Sequence, residues 1–572
     1  MNLRQMLIGS VGCLVSLTLL LSCSTPSQNT DYGDALSPDA QLFGDYLAGS
    51  YANHLDDAKA RSTYYSKAYA RAQDDIILGR RAVTSALTAG EIDLARTLAI
   101  EVLAQSPDEP MSRAILGARE FSAGRYSKAL KYLDEPTEDL TVDIIMKLLK
   151  GWVEVAVNDS DAARDSFDSL GGGGYFNVLG ALQKAKLDAL LGQTDDALEN
   201  FGILEEAQVS SVETALSKAR MLSQVGQDAE ALSNLQTFSE DNGGFESGPV
   251  KAYLDQLNTG APLGEVLTAQ QEAARALTEP AFGFFARNRA YDAAEVFLQL
   301  ALTLDPGHDK AALWLGSLLE NSDRPDAAME IYQRIDDNSP YIVSANLSIA
   351  NIHFDRDEDK SALDVLEQTH AKYPSFVTRE ALGRARLVRE KYAEALPIYD
   401  ALIASLSEEE LKNNYQPLYF RGICYERTKQ WDLAVADFQR VLRYNPDDAD
   451  ALNYLGYTWV DRGENLNQAF DMIRKAVELD PQSGAIVDSL GWAHYKLGQY
   501  QEAKINLEDA VELSPSSATI IDHLGDVYWK LGRFREAGYQ WERALEFDPT
   551  DEERAQIEIK LQKGLEGVKS LP

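Results

Sequence analysis

The sequence predicts an all-α chain, a right-handed superhelical solenoid of helical hairpins, about 13–14 of them at the observed repeat length, in two arrays. Three observations carry that prediction. Leu455-Gly456, Leu490-Gly491 and Leu524-Gly525 recur at about 34 residues. Pro446, Pro481, Pro515 and Pro549 keep the same interval. Ahead of these prolines lie small-large-small triplets: Ala434, Phe438 and Val441; Ala469, Ile473 and Ala476; Ala503, Leu507 and Ala510; Ala537, Trp541 and Ala544. Glycine and alanine let two antiparallel helices approach closely, the bulky residue fills the space between hairpins, and proline stops the second helix. No such hairpin can bury its apolar face alone, so several must stack.

In chain order, residues 1–22 read as an export signal. Arg4 is basic, an apolar core follows over 14–21, and Ser10, Ser16, Thr18 and Ser22 interrupt it too early for a membrane span. Residues 23–40 form a polar tether. Degraded hairpins follow over 41–238, visible as Leu116-Gly117 with Ala129 and Leu133, Gly151 with Ala163 and Phe167, Ala197 with Phe201, and Ala231 with Leu235. Residues 239–280 carry Asp-Asn-Gly-Gly, Gly-Pro and Gly-Ala-Pro turn chemistry and read as a joint between the arrays. The beat resumes over 281–550 with Pro306, Pro340 and Pro374, and is stretched at residues 405–414. Residues 551–572 supply a polar capping helix and tail, as an array end requires.

This pattern resembles the tetratricopeptide repeat (TPR), and the resemblance covers nearly all of the chain after residue 40. Leu20-Leu21-Ser22-Cys23 resembles the lipobox of bacterial lipoproteins, which implies that Cys23 is lipid-modified and becomes the first mature residue. More than one acyl chain holds a protein stably where a single chain is marginal. Ser24 resembles the sorting signal for the outer membrane of Gram-negative bacteria. Residues 451–458 (Ala-Leu-Asn-Tyr-Leu-Gly-Tyr-Thr), Asp461-Arg462 and residues 488–492 (Asp-Ser-Leu-Gly-Trp) are similar to a group of proteobacterial TPR lipoproteins. Some of that group are outer-membrane adaptors that present substrates to carboxyl-terminal processing proteases, which control cell-wall hydrolases. The resemblance thus implies a membrane-anchored periplasmic scaffold with protein partners. The alternative is a structural component of an exopolysaccharide-export or secretion complex.

Charge and residue inventory narrow the function further. With 54 Lys+Arg against 90 Asp+Glu, the net charge is −36. Nucleic acid is excluded as a partner, because displacing counterions from phosphate needs a basic face. A protein partner with basic segments would be attracted. The three cysteines are Cys13, Cys23 and Cys424; only Cys424 falls in the repeats, where it reads as a small buried hydrophobe. The six histidines form no HExxH, the glycines at 171–174 lack the Lys-Ser/Thr of a phosphate loop, and Asp355–Asp359 lacks the calcium-loop glycine and glutamate. No metal, cofactor or catalytic set is expected, and so no enzyme.

What remains is the concave surface, which first helices line. Asn453, Tyr457, Asp488, Trp492, Tyr495, Asp522, Asp526 and Trp529 are the residues expected to point inward. Aromatics among carboxylates suit an extended peptide carrying Lys or Arg and apolar side chains. No basic clamp for a terminal carboxylate is present on that face.

Overall fold

The computed structural model describes residues 37–568 except 172–173, 208–210, 243, 245–247, 264–265 and 289. The signal segment and Cys23 lie outside the described residues. Everything described folds into helices and turns, and the described helices divide between two compact units, one over residues 37–375 and one over residues 376–568.

The first unit begins with six hairpins: α1 (Pro38–His54) with α2 (Ala58–Arg71), α3 (Ile76–Thr88) with α4 (Ile92–Gln105), α5 (Pro110–Ser122) with α6 (Tyr126–Leu133), α7 (Leu140–Ala156) with α8 (Ser160–Asp168), α9 (Tyr175–Leu190) with α10 (Thr194–Glu206), and α11 (Val212–Gln224) with α12 (Asp228–Asp241). A single helix α13 (Gly248–Asn258) leads to α14 (Ala269–Asn288) with α15 (Tyr291–Leu304), α16 (Asp309–Asn321) with α17 (Pro325–Tyr332), and α18 (Ile342–Asp355) with α19 (Asp359–Lys372). The second unit holds α20 (Phe376–Val388) with α21 (Tyr392–Ala404), the short α22 (Glu408–Asn413), α23 (Gln416–Arg427) with α24 (Trp431–Tyr444), α25 (Ala449–Arg462) with α26 (Leu466–Leu479), α27 (Gly484–Lys496) with α28 (Tyr500–Leu513), and α29 (Ala518–Lys530) with α30 (Phe534–Ala544). α31 (Asp551–Lys563) and α32 (Leu565–Val568) close the chain. The insertion expected at 405–414 is therefore α22, which Ser407 and Glu410 start with a reciprocal capping box.

The repeat residues do what their sizes predict. A Cβ on Gly316 would lie 2.3 Å from the Tyr332 ring, and one on Gly525 would lie 2.5 Å from Trp541 Nε1. Phe438, Ile473, Leu507 and Trp541, the large residues of successive second helices, are buried. Each such burial contributes roughly 1.5–3 kcal/mol before entropy is counted. Pro446, Pro481 and Pro515 each fall two residues past a helix end, where their missing N–H costs nothing.

Within the first unit the array turns back on itself. α14 packs against α7, and α15 packs against α3 and α5, all first helices of the early hairpins. Ala273, Ala274, Ala276 and Leu277 of α14 join one core with Val83, Ile115, Leu149 and Trp152. Residues 239–280, expected as the joint between arrays, are thus not where the chain divides. The small and apolar residues of their last part, α14, fill the inner face of the early hairpins, Val250, Leu257 and Leu263 pack on α9–α12, and the division falls at Ser375/Phe376.

A buried ionic cluster accompanies that closure. Glu213 of α11 takes the Lys186 ammonium at 2.7 Å, with Arg220, Lys310 and Arg275 at 3.7, 3.8 and 3.9 Å. Burial alone would raise its pKa, but the four cations outweigh that and hold the carboxyl well below its ordinary value. Lys310 also meets Glu279 at 2.6 Å. His308 beside the cluster is pushed down to about 3 by burial and by Arg275, so it stays neutral.

Candidate protein-binding groove

In the second unit the first helices α23, α25, α27 and the start of α29 line a cleft of about 70 Å³. Its walls include Glu426, Arg427, Asn453, Tyr457, Asp488, Ser489, Thr519 and His523. At roughly 30 Å³ per water this is room for one small side chain, with the rest of a ligand lying across the mouth.

Asp448 caps α25 by accepting from the Ala451 N–H at 2.8 Å, which fixes the helix start and so the direction of Asn453. Asn453 is 2 % exposed, and its Oδ1 has no hydrogen-bond partner. A buried acceptor left unpaired costs about 1–3 kcal/mol. One turn earlier on α25, Asp450 is pushed up by burial and by Asp448 and Asp480, with no cation acting on it. Glu426 and Arg427 pair with each other at 3.2 Å.

Asp488 of α27 accepts from His523 Nδ1 at 2.9 Å. Burial would lower the imidazole pKa, but Asp488, with Asp522 and Asp526 behind it, holds it above the ordinary value. The His523 ring stacks on Trp492 at 4.0 Å between centroids, and Trp492 stacks on Tyr495 at 4.6 Å. Trp492 Nε1 is buried without a partner.

Of the eight residues expected on the concave face, Asn453, Tyr457 and Asp488 line the cleft, and Trp492 and Tyr495 form the aromatic stack beside it. Asp522, Asp526 and Trp529 are placed differently from the open face expected. Lys560 of α31 reaches Asp522 Oδ2 at 2.6 Å and Asp526 Oδ2 at 2.9 Å, and Trp541 Nε1 donates to Asp526 Oδ1 at 3.0 Å. Trp529 packs on Trp541 and lies under Gly564, where an added Cβ would meet its ring at 2.0 Å. The physical reason is the array end: α31 lies where the next first helix would, and brings a cation.

Glu426, Arg427, Ser489, Thr519 and His523 were not expected. The repeat frame contains the signal for most of them: Asn453 and Asp488 stand three residues before their glycines, and His523 stands two before Gly525. Glu426 and Arg427 stand four and five after Gly422, as Tyr495 and Lys496 do after Gly491.

Cys424 is buried and its thiol is pushed up to about 12, which removes it as a nucleophile. Among the described residues no group of three or more His, Cys, Asp or Glu could hold a metal ion. No helix among them is long and apolar enough to cross a membrane.

Comparison with known proteins agrees with this architecture. Two tetratricopeptide-repeat profiles match, one over residues 285–340 and the other over 80–136, 380–440, 425–484 and 489–552. The chain contains tetratricopeptide repeats over these residues. The TPR repeat-containing protein PA4667 of Pseudomonas aeruginosa is 30% identical over 138 residues, which is 22% of this chain and 23% of that protein. The peroxisomal targeting signal receptor of Eremothecium gossypii is 26% identical over 226 residues, 37% of each chain. The chain thus spans between 23% and 37% of the length of these relatives. Among solved structures, the Cut9–Hcn1 hetero-tetramer of the APC/C aligns over 92% of this chain and 96% of that one, at 15% identity and a TM-score of 0.37.

Proposed function

We propose that this chain is a non-enzymatic scaffold that holds an extended segment of a partner protein in the groove of its second unit. The observation that carries it is the Asn453 side chain, buried in the cleft wall with its acceptor unsatisfied. A peptide N–H is the donor such an amide lacks, and an amide group can answer a peptide group on both its donor and acceptor sides. Asp450, one turn before Asn453 on α25, favours a segment carrying Lys or Arg, and Tyr457 in the cleft wall offers an apolar face to its neighbours. TPR proteins generally bind other proteins, and one relative carries a targeting-signal receptor's name.

The finer reading is that the scaffold is lipid-anchored through Cys23, faces the periplasm from the outer membrane of a Gram-negative bacterium, and presents a client to a processing protease or cell-wall hydrolase. The lipobox-like residues 20–23 support the anchor, and the similarity over 451–458 and 488–492 supports the adaptor role. Replacing Cys23 by Ser should release the protein from the membrane fraction; retention there would sink the anchor.

A photo-crosslinking residue at position 457, on the groove, is compared with one at exposed position 539 on α30. A discrete adduct from 457 alone is expected. Adducts of equal yield from both positions, or none from 457, would remove the groove reading. A protease or wall hydrolase in the adduct fits the adaptor; a channel or synthase would replace it with the export-complex role.

A further inference from the structure

The groove does not stop where its open part stops. Thr519, which lines the cleft, donates its hydroxyl to Glu553 of α31 at 2.6 Å, so the edge of the cleft is tied to that helix. Asp522 and Asp526 follow Thr519 at intervals of three and four residues, so the three share one face of α29. α31 covers the lower part of that face with Lys560, whose side chain is 5% exposed between the two carboxylates.

We propose, on the groove reading above, that α31 masks the far end of the groove and is displaced by a partner, whose Lys or Arg takes the place of Lys560 between Asp522 and Asp526.

The character of the contact supports displacement. α30 is seated by Ala537, Trp541 and Ala544, all buried. α31 is seated more lightly, by buried Ile557 and half-buried Leu561 with Leu565 just beyond it, and by the polar bonds of Lys560 and Glu553. A helix of its length is marginal alone in water, so α31 depends on those contacts. Exchanging one ammonium or guanidinium for another leaves the charge balance at Asp522 and Asp526 unchanged, so the exchange costs only the lighter apolar seat and the Thr519–Glu553 bond. Asp522 also keeps Oδ1 buried without a partner, which a guanidinium's extra donors could fill and a lysine of α31 does not. Withdrawal of Gly564 from the Trp529 ring would free an aromatic face of the kind that anchors interfaces. The segment recognised would then carry a basic residue with an apolar or aromatic neighbour.

The full chain is tested with a synthetic ten-residue peptide alternating Lys and Leu, following its affinity and the hydrogen exchange of residues 551–563. Saturating peptide should speed exchange there by about tenfold or more, because the helix loses its seat. Lys560→Gln should bind the peptide about tenfold more tightly, since an internal competitor lowers apparent affinity by the fraction of time it leaves the site open. Asn453→Ala should bind about tenfold more weakly. Unchanged or slower exchange in 551–563 with peptide bound, or no gain with Lys560→Gln, overturns the displacement and leaves the groove standing. If Asn453→Ala binds as well as the parent, the groove reading fails instead. Should Lys560→Gln not fold, Thr519→Val severs the other bond to α31 and should tighten binding about threefold by the same competition; no gain there overturns the displacement. A peptide that binds neither the parent nor Thr519→Val overturns both.

Discussion

In the first unit α14 and α15 pack onto the inner face and leave a cavity of about 600 Å³ beside Thr88, Gln299 and Arg324, whereas in the second the first helices line a narrow cleft of about 70 Å³, although the same hairpin builds both. In the first unit α14 and α15 lie against α3, α5 and α7, and Leu277, Phe297 and Trp152 are fully buried as a result. In the second, α23, α25 and α27 face a cleft, and Asn453 and Trp492 keep polar atoms without partners. Burying a polar group without a bond is unfavourable in either place. At Glu213 the first unit answers with its own Lys186, Arg220, Arg275 and Lys310, while Gln183 Nε2 and His308 Nε2 in the same unit stay without partners. In the second, Lys560 of α31 answers Asp526, and Asn453 Oδ1 has no partner within the protein. An inner face packed with the array's own helices is occupied; a cleft between first helices has room for a ligand group.

The largest break in this comparison should come from Glu213→Ala. It leaves Lys186, Arg220, Arg275 and Lys310 with Glu272 and Glu279 but without their shared carboxylate, and removal of one partner from a buried ion pair costs about 3–5 kcal/mol. Denaturant unfolding followed by hydrogen exchange should show protection lost in residues 37–375 while residues 376–568 keep theirs. A cost below about 1 kcal/mol would mean that the cluster does not hold the closed face.

The repeats of the second unit were legible because their side chains repeat: each glycine, each triplet and each proline has one packing task. The closure of the first unit was not legible, because it joins residues far apart in sequence. Leu149 meets the α14 core across more than a hundred residues, and the turn chemistry around Gly243, Gly248 and Gly260 marks a break in the beat without saying what the next helix packs on. The groove was half legible. Counting from the repeat glycines places Asn453, Tyr457 and Asp488 correctly, but no repeat count reveals that Lys560, beyond the last repeat, turns in to meet Asp522 and Asp526. Cys23 shows the other limit, where a short motif near the start speaks and the described residues are silent.

A smaller effect separates the units by pH. Burial, against Arg324, raises Glu295 in the first unit from 4.5 to about 7. Burial and the Asp526 charge, against Lys560, raise Asp522 in the second from 3.8 to about 6. A folded-state pKa above the unfolded one means that the folded state binds the proton more tightly. The stabilising contribution is whole below the unfolded value and is lost as pH rises through the folded one. Acidifying from about pH 7.5 to about pH 5 should therefore stabilise each unit, by roughly 1–3 kcal/mol per group at about 1.4 kcal/mol per unit. Glu295→Gln should flatten the pH dependence of the first unit alone, and Asp522→Asn that of the second alone. The parent's general relief from a charge of −36 acts equally on the variants, so the difference between parent and variant isolates each group. Equal slopes in parent and variant would show that these carboxyls are not held as described.

The smallest expected change in stability belongs to Asn453→Leu, and it separates a ligand site from internal packing most cleanly. Leucine has nearly the shape of asparagine, so the wall of the cleft keeps its packing, and the substitution removes an acceptor that no protein group satisfies. Replacing an unpaired buried polar group by an apolar one of the same shape is neutral or stabilising. The unfolding midpoint of the second unit should therefore hold or rise, with a change within about 0.5 kcal/mol or a gain. Binding of the Lys-Leu peptide should nonetheless fall about tenfold, one lost hydrogen bond to a desolvated partner. A loss of stability of about 2 kcal/mol with binding unchanged would make Asn453 part of the array's own packing and close the one feature that marks this face as open.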